Sequence, residues 1–117
     1  MDQKKIDETL SVGAQITLQD VATLAEAGYR AIVCNRPDGE AADQPTHEEI
    51  AAAAEKAGLA FRYLPVTPGM VQDETAQEFE QVLRDLPGPV FAYCRTGTRS
   101  ATLWSLSQAK TRSLPEI

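Results

Sequence analysis

The chain has 117 residues and a formal net charge of −6 at pH 7, which suits one compact domain and argues against nucleic acid or an anionic membrane as the main partner. The N-terminal residues lack the apolar stretch of a signal peptide, no segment has the ~20 apolar residues of a membrane span, and the two Cys accompany no secretory feature. We therefore expect a cytoplasmic protein with free thiols.

Short apolar runs alternate with helical patterns along the chain. The predicted strands cover residues 12–16, 31–34 and 59–66, and a fourth strand reaches residue 93. The first predicted helix is capped by Thr17 and ended by Gly28, and the second runs from the capping box of Thr46 and Glu49 to residue 57. The third is capped by Asp73 and broken at residues 87–89, and a last helix follows the fourth strand. This alternation predicts an α/β fold: a single domain with a mostly parallel central sheet flanked by helices. Residues 110–117 are polar, so we expect residues 12–108 to carry the motifs and the chain to be a short member of its class or a fragment.

The most informative segment is the loop at residues 94–100, Cys-Arg-Thr-Gly-Thr-Arg-Ser, between the last strand and the last helix. A strand, a short Gly-containing loop and a helix N-terminus together form a cradle of backbone N–H donors for an anion. Such surroundings favour the thiolate form of Cys94, and Arg99 supplies a planar donor for an oxyanion. The pattern indicates nucleophilic displacement at phosphorus or sulfur, with Cys94 and Arg99 as catalytic residues. The rest of the predicted anion-binding loop is Arg95, Thr96, Gly97, Thr98 and Ser100.

Each of these residues also has a structural interpretation. Cys94 would otherwise be a small buried hydrophobe at a strand end, and Arg99 a surface residue at a helix start. A positive charge opposes the dipole at a helix N-terminus, which favours an anion-binding role for Arg99. Arg95 points either into the mouth of the site or into solvent, and Ser100 is expected to cap the last helix.

Residues outside the loop are expected to support it. Ligands bind beyond the carboxyl ends of parallel strands, so the loops after Cys34, Val66 and Tyr93 should meet there. Arg36 and Asp38 lie in the first of these loops. They are expected either to form a supporting salt bridge or a contact at the mouth of the site, or to have only the ordinary structural role of turn residues.

The remaining reactive side chains have simpler expectations. Asp73 is first a helix cap and second a candidate proton donor. Cys34 is expected in the core, and His47 in solvent at the first turn of a helix. Because no cluster of His and Cys is present, we predict no metal site, and nothing in the sequence indicates a cofactor.

Three stretches resemble the phosphatase-like domain family named after beta-lactamase hydrolase-like protein: residues 13–16 (GAQI), 35–40 (NRPDGE) and 93–100 (YCRTGTRS). The resemblance extends over most of the chain, from about Val12 to Gln108. That family is similar in fold to the tyrosine and dual-specificity phosphatases. The resemblance implies a nucleophile at Cys94, an anion-binding Arg99 and backbone donors from the residues between them.

Two features depart from the tyrosine phosphatases. Those enzymes place five residues between Cys and Arg, whereas four residues separate Cys94 from Arg99, a spacing similar to that of the rhodanese sulfurtransferases, which carry a persulfide on Cys. Dual-specificity phosphatases also supply an Asp general acid from the loop after the third strand, and residues 64–69 (LPVTPG) contain no Asp. A leaving-group acid contributes ~10²–10⁴-fold to cleavage of a phosphate ester, whereas sulfite and thiolates leave without a proton.

Three functions are therefore open at this point. The first is a Cys-dependent, phosphatase-like hydrolase. The second is a rhodanese-like sulfurtransferase that takes sulfur from thiosulfate or a low-molecular-weight persulfide, and the third is a non-catalytic anion-binding or regulatory module. All three imply a small anionic substrate or ligand and neither nucleic acid nor a membrane; the sequence does not indicate an oligomeric state.

Overall fold

The computed structural model describes residues 3–112, with side chains described to residue 108. Its elements are β1 (Gln3–Lys5), β2 (Leu10–Gly13), α1 (Leu18–Glu26), β3 (Ala31–Cys34), α2 (His47–Lys56), β4 (Ala60–Tyr63), α3 (Asp73–Asp85), β5 (Val90–Tyr93) and α4 (Thr98–Arg112). Residues 113–117, which belong to the polar C-terminal segment noted above, lie outside the described residues. Within residues 3–112, no helix is long and apolar enough to cross a membrane.

One five-stranded sheet organises the domain, in the order β1-β2-β5-β3-β4. β5 lies at its centre and pairs in parallel with both β2 and β3, while β4 pairs in parallel with β3. β1 runs antiparallel to β2 at the edge. The predicted α/β fold, with a mostly parallel sheet flanked by helices, is confirmed.

Side chains of the strands alternate between two faces, and each face carries a core. On one face, Val90 and Ala92 of β5 belong to a cluster with Phe79 of α3 and with α4. On the other face, Phe91 and Tyr93 belong to a cluster with α1 and α2. Because both faces of β5 are covered, its sequence is apolar throughout.

Two of the first three helix starts follow the predicted capping residues. Thr17 and Thr46 each form a capping box with the acidic residue three positions later. The N-cap of α3, however, is Gln72, without a side-chain cap bond, and Asp73 is the first helical residue. The expected Asp73 cap is therefore wrong, and its carboxylate instead lies in the first turn, where the helix dipole favours negative charge.

Strand boundaries differ from prediction where backbone pairing sets the ends. β2 covers Leu10–Gly13 rather than 12–16, because these four residues pair with Val90–Tyr93 of β5. β4 ends at Tyr63 rather than at residue 66, although the Leu64 and Val66 N–H groups still donate to the Cys34 and Asn35 carbonyls at 2.9 Å. β1 was not predicted, because its exposed residues have no apolar alternation and its pairing with β2 holds it in place.

Candidate active site

Three loops meet at the carboxyl edge of the sheet, as predicted from its parallel strands. They follow β3, β4 and β5 and enclose a cavity of about 850 Å³. The lining residues are Arg36, Pro37, Glu40, Ala41, Thr67, Pro68, Gly69, Arg95, Thr96, Thr98 and Arg99. A cavity of this size is typical of a small-molecule site.

Cys94 follows β5 directly and lies beneath the loop. Its N–H donates to the Gly13 carbonyl at 3.2 Å, and its Sγ accepts a hydrogen bond from the Gly97 N–H at 3.0 Å. The residue is 1% exposed, and the loop residues that follow it, rather than Cys94 itself, line the cavity. An N–H group directed at sulfur is an arrangement that suits a negatively charged sulfur atom.

Gly97 allows this hydrogen bond because of its backbone conformation. Its φ is +95°, in the left-handed region that favours glycine. A Cβ atom at this position would lie 3.3 Å from the carbonyl carbon of Gly13, the last residue of β2, so one of the two backbones would have to shift to accept it. The segment after β2 contacts the loop once more, where the Gln15 N–H donates to the Arg95 carbonyl at 3.2 Å.

Arg99 is held by a carboxylate from the neighbouring loop. Its Nη1 and Nη2 donate to the two oxygens of Glu40 at 2.7 and 2.8 Å, and Nη1 also donates to the Val66 carbonyl at 2.8 Å. The hydrogen bonds from Arg99 to Glu40, together with those from Arg36, lower the pKa of Glu40 to about 2. The pKa of Arg99 is raised, chiefly by its hydrogen bonds to Glu40 and further by the charge and hydrogen bonding of Cys94. Arg99 is therefore a buried residue beside the sulfur atom rather than a surface arginine.

Arg36 binds the same carboxylate from the other side. Its Nε donates to Glu40 at 2.9 Å, and its Nη1 donates to the side chain of Gln15 at 3.1 Å. Glu40 thus joins Arg36 and Arg99, which agrees with the supporting salt bridge expected of Arg36. Glu40 is absent from the residues that the sequence predicts for the site. It could have been found by reasoning that buried guanidinium groups need a carboxylate partner.

Ser100 does not cap the last helix, contrary to expectation. α4 begins at Thr98, and Ser100 lies in its first turn, fully buried. Its hydroxyl donates to the Asn35 side-chain oxygen at 2.7 Å, and the Asn35 amide donates to the Leu64 carbonyl at 2.9 Å. Ser100 therefore joins the start of α4 to the loops after β3 and β4.

Residues 2–111 match the family described as the phosphatase-like domain of beta-lactamase hydrolase-like protein. The chain belongs to this family. It is 34% identical over 109 residues to the beta-lactamase hydrolase-like protein of Agrobacterium fabrum, and the match covers 93% of this chain and 25% of that protein. The chain thus spans about a quarter of the length of this curated relative.

Solved structures of similar proteins have the same fold. A candidate phosphatase from Neisseria meningitidis superposes with a TM-score of 0.87 at 38% identity, over 95% of this chain and 78% of that one. TpbA of Pseudomonas aeruginosa, whose structure contains phosphotyrosine, has a TM-score of 0.67 at 18% identity, over 97% of this chain and 66% of that one. The fold is therefore that of the tyrosine phosphatase-like proteins.

The three stretches that resemble this family all contact the site. Residues 13–16 lie against the loop at residues 94–100, which we call the Cys loop. Residues 35–40 supply both Arg36 and Glu40, and residues 93–100 include the Cys loop itself. Stretches that are distant in sequence are thus brought together at one edge of the sheet.

Asp38 supports the site from outside the cavity. Its carboxylate accepts hydrogen bonds from the His47 N–H at 2.8 Å and pairs with His47 Nδ1 at 2.6 Å. The His47 ring stacks on Tyr63 with centroids 3.7 Å apart, so His47 is not simply solvated as expected. Because Asp38 is absent from the cavity lining, it fixes the loop that carries Glu40 rather than forming a contact at the mouth.

The remaining predicted residues divide between the mouth and the exterior. Arg95 is exposed and lines the cavity, which agrees with an orientation into the mouth. Thr96 and Thr98 also line it, and the Thr96 hydroxyl donates to that of Thr98 at 3.1 Å. Asp73 is exposed and is not a lining residue.

The second cysteine belongs to the core, as predicted. Cys34 is 2% exposed and packs in the same cluster as Tyr93. Its Sγ donates to the Arg36 carbonyl at 3.3 Å, and burial raises the pKa of its thiol. Cys34 is therefore a structural thiol, and both cysteines are free.

Proposed function

We propose that this domain is a Cys-dependent, phosphatase-like enzyme in which Cys94 is the nucleophile. The observation that supports this most directly is the position of the Cys94 sulfur, which has the Gly97 N–H at 3.0 Å and the Arg99 side chain beside it. An N–H donor and a guanidinium at one sulfur atom are the groups needed for a thiolate and for the oxyanion that it attacks. The family and its solved relatives support the same chemistry.

In the hydrolase mechanism, the Cys94 thiolate attacks the phosphorus atom of a small phosphate ester. The S–P bond forms as the P–O bond to the leaving group breaks, and water then cleaves the thiophosphate and restores the thiol. Arg99 donates three hydrogen bonds to Glu40 and Val66. The N–H groups of its guanidinium that remain donate to the phosphoryl oxygens. The loop N–H groups complete the binding of the developing charge.

The cavity limits which phosphate esters are suitable. Glu40 is the carboxylate found among its described lining residues, and with a pKa of about 2 it is ionised and cannot donate a proton near neutral pH. Departure of an alkoxide without a proton donor forfeits ~10²–10⁴-fold in rate. Phosphoryl compounds with acidic leaving groups, such as aryl phosphate esters or the mixed anhydrides of acyl phosphates, are therefore the favoured class.

The same observation favours a second candidate, sulfur transfer. The Cys94 thiolate would attack the outer sulfur of thiosulfate, forming an S–S bond as sulfite leaves. A thiolate acceptor would then attack the outer sulfur of the Cys94 persulfide and release the Cys94 thiolate. Neither step needs a proton donor, and four residues between Cys94 and Arg99 match the spacing of the rhodaneses.

One pair of assays separates these candidates. The protein is incubated with thiosulfate and its intact mass is measured, in parallel with an aryl phosphate hydrolysis assay. Phosphate release that is absent in Cys94→Ser, without a sulfur adduct, would support the hydrolase. Gain of one sulfur atom on Cys94 without phosphate release would support the sulfurtransferase instead. If Cys94→Ser changes neither result, both enzyme hypotheses lose support relative to an anion-binding or regulatory module.

A further inference from the structure

The cavity is larger than the group that Cys94 would receive. Its volume of about 850 Å³ lies toward the upper end of the range for small-molecule sites, ~300–1,000 Å³. A phosphoryl group or a single sulfur atom would fill a small part of it. The remaining space, with Pro37, Ala41 and Pro68 among its lining residues, is available to the rest of the substrate.

The positive charges around the cavity differ in their environments. Arg36 and Arg99 both bind Glu40, and their side chains are 7% and 11% exposed. Arg95 is exposed, and in the part of the chain that the structure describes no hydrogen bond or ion pair engages its guanidinium. Three arginines and one carboxylate leave a formal charge of +2 at the cavity, in a chain whose net charge is −6.

The two excess positive charges have different positions relative to the sulfur atom. Arg99 lies beside Cys94 and is oriented by Glu40, so it serves the reacting group. Arg95 lies at the open side of the cavity, where a flexible and hydrated guanidinium can bind a carboxylate through two parallel hydrogen bonds.

We propose that Arg95 is a specificity residue that binds a second anionic group of the substrate, a carboxylate remote from the group transferred to Cys94. The substrate class is then a small organic molecule that carries a carboxylate in addition to its phosphoryl group or sulfane sulfur. This inference rests on the proposed role of Cys94 as the group acceptor. It assigns Arg99 to the reacting end of the substrate and Arg95 to the far end.

Alkylthiolating reagents test this without requiring turnover. The Cys94 thiolate attacks the sulfenyl sulfur of an alkyl methanethiosulfonate, a mixed disulfide forms and methanesulfinate leaves. The 2-carboxyethyl reagent has a remote carboxylate, the propyl reagent has no charge, and the 2-(trimethylammonio)ethyl reagent has a remote positive charge. Rates at low ionic strength are measured by intact mass, and peptide mapping separates Cys94 from the buried Cys34.

The variant Arg95→Gln should lower the rate with the carboxylate reagent about fivefold, leave the propyl rate within about twofold and raise the rate with the cationic reagent. Arg95→Lys keeps the charge but not the planar pair of donors, and it should recover only part of the carboxylate rate. Arg30→Gln is the matched control, since Arg30 is exposed and precedes β3 at the opposite edge of the sheet. It should leave all three rates unchanged.

Other outcomes would overturn the proposal. An equal fall with all three reagents would mean that Arg95 acts by ordering the loop, and an equal effect of Arg30→Gln would mean that net charge alone is responsible. If Cys94 is labelled and Arg95→Gln leaves the relative rates of the three reagents unchanged, Arg95 has no role in specificity and the proposed function stands. If no reagent labels Cys94, both the role of Arg95 and the proposed nucleophile are wrong.

Discussion

The Glu40 carboxylate binds the Arg99 guanidinium through two hydrogen bonds of 2.7 and 2.8 Å, between residues 59 positions apart in sequence. This pair connects the loop after β3 to the first turn of α4. It fixes the orientation of the cation beside Cys94, so the geometry of the proposed anion site depends on a residue outside the Cys loop.

Replacing Glu40 with Gln should lower kcat/KM by about 10- to 100-fold, because the neutral amide no longer holds Arg99 in place. Steady-state kinetics with the substrate identified by the assays above measures this loss. Glu78→Gln makes the same change of charge at an exposed position of α3 and should retain full activity. Equal kcat/KM values for the native protein and Glu40→Gln would remove the positioning role.

The same ion pair gives the stability of the protein a dependence on acid pH. Hydrogen bonds from Arg99 hold the pKa of Glu40 at about 2, below its ordinary 4.5. Because the folded-state pKa is depressed, the stabilisation is complete above about pH 4.5 and is lost as the pH falls toward 2. In that window the free energy of unfolding should fall more steeply than in Glu40→Gln, by up to about 1.4 kcal/mol per pH unit. Urea unfolding at several pH values measures both slopes, and parallel curves would contradict the assignment.

Gly97→Ala should destabilise the protein by more than the usual cost of a left-handed alanine. Its Cβ would contact Gly13 at 3.3 Å, and the N–H that donates to Cys94 would shift. Gly58→Ala is the matched control, because Gly58 also has a positive φ of +81° but nothing within 4 Å of a Cβ. We expect about 1 kcal/mol for Gly58→Ala and about 2–4 kcal/mol for Gly97→Ala, with loss of activity only in the latter. Thermal or urea unfolding measures both, and equal costs would mean that the contact with Gly13 is unimportant.

Ser100→Ala should affect stability more than catalysis. Removing the hydroxyl leaves the buried Asn35 oxygen without the donor that lies 2.7 Å away, at a cost of about 1–3 kcal/mol. Ser105→Ala, at an exposed position of α4, should change the free energy of unfolding by less than about 0.5 kcal/mol. With the hydroxyl committed to Asn35, kcat should stay within about threefold of its native value. A larger fall in kcat at unchanged stability would show that Ser100 acts on the sulfur atom instead.

The parts of the site that could be predicted are those encoded in contiguous residues. A strand, a Cys, a Gly and an Arg follow one another within residues 90–99, and their local chemistry already indicates an anion site. The N-cap at Thr17 and the capping box at Thr46 are likewise local, and both predictions are confirmed.

The parts that could not be predicted depend on contacts between distant residues. Glu40 has no local feature that distinguishes it from the other acids, and its role arises from Arg99 in a different loop. Ser100 has the local chemistry of a cap but bonds to Asn35, which is 65 positions away. β1 has no apolar pattern and exists because β2 offers it a free edge.

The position of β5 determines how the Cys loop behaves when the protein opens. This strand is hydrogen-bonded along both edges and covered on both faces, and Cys94 is the residue that follows it. Amide hydrogens of such a strand exchange with solvent only when the whole domain unfolds. Cys94 therefore stays anchored at the carboxyl end of β5 for as long as the sheet survives, and the proposed nucleophile needs such a fixed position.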